Sequence, residues 1–332
     1  DSRLSRGLGD VYKRQGVVAE LGPDQGPMVG LRVDMDALPV EERTGLSYAS
    51  TRQGLMHACG HDLHTCTGLG VARLLAQEPH LGARVRLLFQ PAEELAQGAV
   101  WMRDAGAVEG LDALYGVHVV PNLPVGTVGI RRGCLTAAAG ELEILVQGEG
   151  GHGARPHQSV DAVWLAARVI TELQQTIARR LDALKPVVIS FGKVEGGRAF
   201  NVIADQVRLL GTVRCLDLQQ HAQLPAWIDE TVQGICASGG GTAVVNYRCI
   251  APPVHNDPQL TTLLERCAVE CLGRDKVLPV EQPSLGAEDF AELLRDVPGM
   301  MVRLGVAGPE GCAPLHNGAF ALEEDALGVG IA

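Results

Sequence analysis

Two rhythms of apolar residues divide this chain, and the division limits the folds open to it. Before about residue 136, strand-like runs (28–33, 83–90 and 113–120) alternate with helical stretches at 67–76 and 93–103. Strands alternating with helices predict a parallel sheet covered on both faces. Beyond residue 136 the order becomes strand (141–147), helix (159–181), strand (187–194), strand (208–214), helix (219–237) and strand (242–249). That order is the ferredoxin-like split βαβ unit. A helix at 258–272 and a strand at 300–306 return to the first rhythm. The expected fold class is therefore α/β. A mostly parallel-sheet domain (16–135 and 250–332) carries an inserted ferredoxin-like α+β domain (136–249).

Both ends depart from this pattern. Residues 1–15 (DSRLSRGLGDVYKRQ) are basic and aperiodic and read as a segment foreign to the fold. The last residues fall inside a helix expected from about Glu323, as in a fragment.

Bulk properties narrow the function classes. An apolar fraction of 46% with 20% charged residues suits a globular protein with a large core. The net charge of −11 has no basic counterweight region, which argues against nucleic acid and anionic membranes as partners. No apolar run approaches membrane-spanning length. Nine cysteines without disulfide-framework spacing point to the reducing cytoplasm, and free cysteines are expected to be mostly buried.

The densest chemistry lies in His57-Ala58-Cys59-Gly60-His61-Asp62-Leu63-His64. Thiolate and imidazole are zinc-type ligands, and Cys59 and His61, one residue apart, can share a cation from a loop. The competing reading, a polar helix start capped by Asp62, explains one such residue better than the cluster. Glu93 and Glu94 follow a strand and Pro91. Acids in a first helical turn are common because they complement the helix dipole, yet helical neighbours point about 100° apart and can address one site from two sides. Hydrolysing an amide near neutrality needs a metal to acidify water and a base to take its proton, and two adjacent carboxylates can divide that labour.

Other features are weaker alone. His118 lies in an apolar strand, where a histidine is usually hydrogen-bonded packing, and His316 lies in a loop. Glu288-Asp289 is equally compatible with a helix start. Gly148-Glu149-Gly150-Gly151-His152-Gly153 fits a dinucleotide-binding pattern, but Arg155-Pro156-His157-Gln158 separates it from the next helix, so a Rossmann site is not expected. There is no G-x-S-x-G elbow and no Walker lysine.

Together the motifs resemble the M20 peptidase family in its amidohydrolase branch, which includes hippurate hydrolases, auxin-conjugate hydrolases and N-acyl-amino-acid deacylases. The resemblance is carried in order by residues 31–39, 57–62, 90–94, Gly116-Val117-His118, Gly150-Gly151-His152-Gly153-Ala154, Ala287-Glu288-Asp289-Phe290 and Leu315-His316-Asn317. It implies a metallohydrolase domain with two divalent metal ions (zinc, manganese, cobalt or nickel) held by Cys59, His61, Glu94, His118 and His316. It implies Glu93 as general base and later acid, with Asp36 supporting the site from behind the ligands. The inserted domain would be a lid or dimerisation domain in a homodimer. His152 would hold the substrate carbonyl, with Asn201 and Arg214 as further substrate contacts. The implied substrate is a small N-acyl amino acid. Rival readings are a dipeptidase or aminopeptidase of the same two-metal type and an inactive metal-binding member. The family's helical segment before the first strand is expected to be absent here or replaced by residues 1–15, and the last helix looks short.

Overall fold

The computed structural model describes Arg6–Leu8 and residues 16–332. The segment 1–15 set aside above lies outside the described residues, apart from the backbone of Arg6–Leu8. Two compact units emerge: one holds the chain up to Leu135 with Val254–Pro283 and Glu288–Ala332, the other Thr136–Pro253 and Ser284–Ala287.

The first unit begins with β1 (Arg6–Leu8), β2 (Gly16–Leu21), β3 (Met28–Asp34), α1 (His61–Leu75), β4 (Arg84–Gln90), α2 (Gly98–Asp104), β5 (Ala113–Pro124), β6 (Val128–Ile130) and β7 (Gly133–Cys134). The second unit contains β8 (Ala138–Gln147), β9 (Gly151–His152), α3 (Ala162–Arg180), β10 (Val187–Gly196), β11 (Val202–Ile203), β12 (Gln206–Cys215), α4 (Leu218–Ser238) and β13 (Thr242–Ala251). The chain then returns to the first unit with β14 (His255–Asn256), α5 (Pro258–Leu272), β15 (Val277–Pro279), α6 (Phe290–Leu293), β16 (Gly299–Ala307) and α7 (Ala326–Ile331).

The first unit is built on an eight-stranded sheet in the order β1-β2-β4-β3-β5-β16-β6-β15. Its centre, β4-β3-β5-β16, is parallel, while β2 joins β4 and β6 joins β16 antiparallel. Leu87, Leu88 and Phe89 are buried in succession, as expected of a strand covered on both faces. On one face Val33, Leu87, Val117, Val119 and Leu304 pack with Leu63 of α1 and Ala326 of α7. On the other, Leu88, Leu114 and Met301 pack with Met102 of α2 and Phe290 of α6. Asp34 and Gln90 pair at the carboxyl ends of β3 and β4, the edge at which parallel sheets gather ligands.

The second unit is an antiparallel sheet, β10-β12-β8-β13, in the ferredoxin-like order. Strand β8 alternates: Leu142, Ile144 and Val146 are buried against Leu165 and Val169 of α3 and Leu224 and Ile228 of α4. Its outer residues pair in charge across strands, Glu143 with Arg208 and Glu141 with Arg248. Asp161 and Asp217 cap the two helices by accepting backbone N–H groups from Val163 and Gln220. Among the described residues, no helix is long and apolar enough to cross a membrane.

Three expectations need correction. The helix expected from Glu93 begins only at Gly98, because residues 93–96 form a turn. The last helix begins at Ala326, three residues later than expected. Only Cys59, Cys215 and Cys236 are buried, whereas Cys66, Cys267 and Cys271 are exposed. Those three sit on helices α1 and α5 at positions turned outward, where helical spacing rather than residue type decides burial.

Candidate metal centre

The Cys59–His61 loop is shaped by the glycine between its two donors. Gly60 has φ 78°, and a Cβ there would lie 2.5 Å from Val119 Cγ2. Glycine therefore lets the chain reverse against β5, presenting Cys59 from the loop and His61 from the first residue of α1. Cys59 Sγ lies 3.6 Å from His118 Nε2. His118 Nδ1 is 2.7 Å from the Val119 carbonyl, which can only accept, so Nδ1 carries the proton and Nε2 offers a lone pair. The same logic holds for His61. Its Nδ1 is 3.1 Å from both the backbone oxygen and Oδ1 of Asp36, leaving Nε2 buried, 3.8 Å from Asp34 Oδ2 and without a hydrogen-bond partner. His64 differs: Nδ1 donates to Asp34 Oδ1 at 2.6 Å and Nε2 accepts from Val119 N at 2.9 Å. Both nitrogens are used, so His64 has no lone pair for a ligand.

Backbone strain collects at the same place. Among the described residues, the non-glycine positions with positive φ are Ala92 (54°), Ala96 (51°) and His316 (64°). Ala92 and Ala96 bracket Glu93-Glu94. Each such residue costs on the order of 1–3 kcal/mol and persists where its surroundings enforce it, commonly at functional sites. A Cβ on Gly98 would fall 1.5 Å from the Pro91 carbonyl oxygen, so the turn closes this tightly only over glycine. Glu94 N donates to Asp36 Oδ2 at 3.0 Å, and His316 N donates to Ala58 O at 2.7 Å. These bonds bring the turn and the late loop onto the Cys59 loop. His316 Nε2 comes within 3.2 Å of Glu94 Oε1, an oxygen that accepts no hydrogen bond.

Among the described residues five overlapping donor sets occur, and three of them join the expected ligands: Cys59, His61 and His118; Cys59, Glu94 and His316; and His61, Glu93 and Glu94. Within each set the donor atoms lie within 4.8 Å of one another. Sulfur, imidazole and carboxylate together suit zinc and its first-row neighbours. Of the three buried side-chain atoms without a hydrogen-bond partner among the described residues, two, His61 Nε2 and Glu94 Oε1, lie here and fit the same ligand.

Charge in this pocket is poorly balanced by the protein alone. Burial, then Glu288 and Asp289, push Glu93 well above the usual carboxylate range. Burial also raises Glu94 and, with Glu94 and Glu93 beside it, the Cys59 thiol. Burial works against the His61 imidazolium, yet Asp34 and Asp36 hold its pKa at about 9. His118 is driven well below its ordinary value by burial, with His64 and Arg303 adding to the effect. A cation placed among these donors would relieve the carboxylate crowding.

Behind the donors lies a buried network anchored by Arg32. Its Nε donates to Gln90 Oε1 at 2.9 Å and Nη1 to Asp34 Oδ2 at 2.8 Å. Nη2 reaches Asp289 Oδ1 at 3.0 Å and Glu288 Oε1 at 3.1 Å. Asp289 also accepts from Gln90 Nε2 at 2.7 Å and from Ala99 N at 3.0 Å. The Glu288-Asp289 pair thus ties β3 and β4 to the helix that follows Glu93. Neither Arg32 nor Gln90 stands out in the sequence as a site residue. The available signal was a charge inside the otherwise apolar run Leu31-Arg32-Val33, which demands buried partners.

The expected substrate contacts lie in the second unit. His152 and Asn201 are exposed and line one cavity of about 400 Å³ with Arg198 and Asp205. Arg214 does not join them. It lies nine residues past Asp205, roughly 30 Å at the rise of a strand, and its Nε donates to Leu285 O at 3.2 Å.

Comparison with known proteins agrees with this geometry. The sequence matches peptidase family M20/M25/M40 over residues 30–332. It is 51% identical to a protein of Synechocystis described as a probable hydrolase over 323 residues, covering 96% of this chain and 82% of that protein. It is 39% identical to N-acetylcysteine deacetylase of Bacillus subtilis over 318 residues, covering 95% of this chain and 82% of the deacetylase. The fold superposes, with TM-score 0.83 and 36% identity, on YxeP of Bacillus subtilis, a dinuclear metal-binding peptidase of the M20 family, covering 98% of this chain and 85% of that one. With a match spanning nearly its whole length and relatives that are hydrolases, this chain is an enzyme of peptidase family M20/M25/M40.

Proposed function

We propose that the protein hydrolyses the amide bond of N-acyl amino acids, releasing a carboxylic acid and an amino acid. The observation that carries this reading is the convergence of Cys59, His61, Glu94, His118 and His316, with Glu93 beside them. The similarity to a deacetylase of an N-acetylated amino acid supports the substrate class. Those five residues would hold two divalent cations, zinc, manganese, cobalt or nickel. Bound there, such ions lower the pKa of water and polarise an amide carbonyl.

The chain's own residues divide the remaining work. Glu93, raised by burial above the usual carboxylate range, accepts the proton of the attacking water and returns it to the leaving nitrogen. Asp36 fixes the ring of His61 through Nδ1 and the turn of Glu94 through its N–H. His152 holds the carbonyl oxygen and Asn201 contacts the rest of the substrate; Arg214, far from both within one chain, would meet the same substrate only where two subunits of the homodimer come together. The second unit, read as residues 136–249, serves as lid and dimer surface of a homodimer. Residues 16–135 and 250–332 form the catalytic domain, and residues 1–15 are read as foreign to it, although the backbone of Arg6–Leu8 pairs with β2. Nine free cysteines suit work in the cytoplasm.

A panel of N-acetyl and N-benzoyl amino acids against dipeptides, on protein reconstituted with each metal, tests this reading. Turnover of acyl amino acids is expected. Turnover of dipeptides alone would favour a two-metal peptidase, and no turnover an inactive metal-binding member.

A further inference from the structure

His64 lies buried among the donors with both of its own ring nitrogens already engaged. Strand β3 pairs with β5 only as far as Arg32 and Gly116. Strand β5 runs on to Pro124, so its edge continues past the last residue that β3 covers. There the Val119 N–H finds its acceptor in His64 Nε2 at 2.9 Å. An N–H can only donate, so Nε2 is the unprotonated nitrogen, and Nδ1 carries the proton it gives to Asp34 Oδ1 at 2.6 Å. Asp34 is held in turn by Arg32 Nη1 at 2.8 Å and, through its carbonyl, by Thr65 Oγ1 at 2.9 Å. A side chain anchored from behind thus takes the place of a neighbouring strand in the ladder.

Val119 bears on two of the donors. Its carbonyl accepts from His118 Nδ1 at 2.7 Å, which leaves the lone pair on His118 Nε2, 3.6 Å from Cys59 Sγ. Its Cγ2 fills the space that a Cβ on Gly60 would need, so the Cys59 loop turns against it. The His64 ring also packs on both imidazole donors. It stacks on His61 with centroids 5.4 Å apart and meets His118 edge-on at 4.9 Å and 63°. In a histidine, the hydrogen bond made by one ring nitrogen decides which nitrogen is left for a ligand. We infer that His64 is a positioning residue for His118: by holding the Val119 backbone and packing beside the ring, it sets the tautomer and the direction in which His118 presents Nε2. The consequence for cation binding rests on the metal-centre reading above.

The test compares His64→Gln and His64→Leu with the parent chain, and takes Leu63→Ala as a control that loosens the same helix from its core. Glutamine keeps a donor for Asp34 and an acceptor for Val119, whereas leucine keeps bulk and neither. Nitrogen-edited NMR spectra of metal-free, histidine-labelled protein read the His118 tautomer. Cobalt titration reads affinity through the thiolate-to-cobalt absorption of Cys59. The parent, His64→Gln and Leu63→Ala are expected to hold His118 in the one form protonated at Nδ1, and His64→Leu to show both tautomers. Cobalt should bind His64→Leu about 10- to 100-fold more weakly, as when support behind a ligand is lost, and His64→Gln nearly as the parent. Leu63→Ala should unfold at lower urea with its cobalt affinity intact. A single His118 tautomer in His64→Leu, or parent-like cobalt affinity in it, overturns the assignment. An equal loss of affinity in Leu63→Ala also overturns it, reducing His64 to packing. If the parent takes up no cobalt at Cys59, the metal reading falls and the tautomer spectra alone decide for or against His64. If cobalt binds but the tautomer ignores His64, the metal reading stands and the positioning role falls.

Discussion

His61 donates its Nδ1 hydrogen bond to Asp36, 3.1 Å from Oδ1, and so turns Nε2, which has no hydrogen-bond partner, into the buried space beside Cys59 and His118. The other oxygen of the same carboxylate receives the N–H of Glu94 at 3.0 Å. One side chain thereby aims two donors that arrive on different elements. Replacing Asp36 with alanine should weaken metal binding about 10- to 100-fold, as loss of a partner behind a ligand usually does. Competition with a chromophoric chelator measures this, and an unchanged affinity would remove Asp36 from the site's support.

Glu93→Gln keeps shape and removes the base. A fall in kcat of about 10²- to 10⁴-fold is expected, with bound metal and KM little altered. Retention of near-parent turnover would assign the proton transfer to another group.

Metal binding should strengthen with pH. Against burial, Asp34 and Asp36 hold His61 at about 9, above its ordinary 6.5. A group raised in this way stabilises the metal-free fold fully below about 6.5, and that contribution is lost as pH rises through about 9. Cation binding runs in the opposite sense because it must displace the proton, so affinity should rise about tenfold per pH unit for each proton released. Titrations between pH 6.5 and 9 read both effects, and a flat affinity would show that His61 has no proton to lose.

Arg32 stands between the buried carboxylates Asp34, Glu288 and Asp289; Asp34 also faces His61 and His64, whereas among the described residues Glu288 and Asp289 meet no other cation. Arg32→Met should cost about 3–5 kcal/mol, since removing one partner strands buried charge. Urea unfolding of the metal-free protein measures it. A loss below about 1 kcal/mol would mean that the stranded carboxylates take up protons with little penalty.

Local physics was legible in the sequence, and long-range physics was not. The run 28–33 becomes β3 and the run 83–90 becomes β4 within a residue or so, because consecutive β-branched and leucine residues suit a strand buried on both faces. The helix expected from Glu93 failed because the turn beneath Pro91 needs Ala92 and Ala96 in left-handed conformations. No helix propensity reports that. His118 and His316 were weak singly, since sheet order and the bond from His316 N to Ala58 O bring them to Cys59. Glu288 and Asp289 could not be read at all without Arg32, which meets Asp289 across 257 residues of chain.

An anomalous difference map from crystals grown with zinc addresses the proposed centre most directly. Two peaks per chain are expected, one about 2.3 Å from Cys59 Sγ and about 2.0–2.1 Å from an imidazole nitrogen, with Glu94 and His316 completing the shell of the pair. No peak among these residues, or density only against Glu93, Glu288 and Asp289, would contradict it.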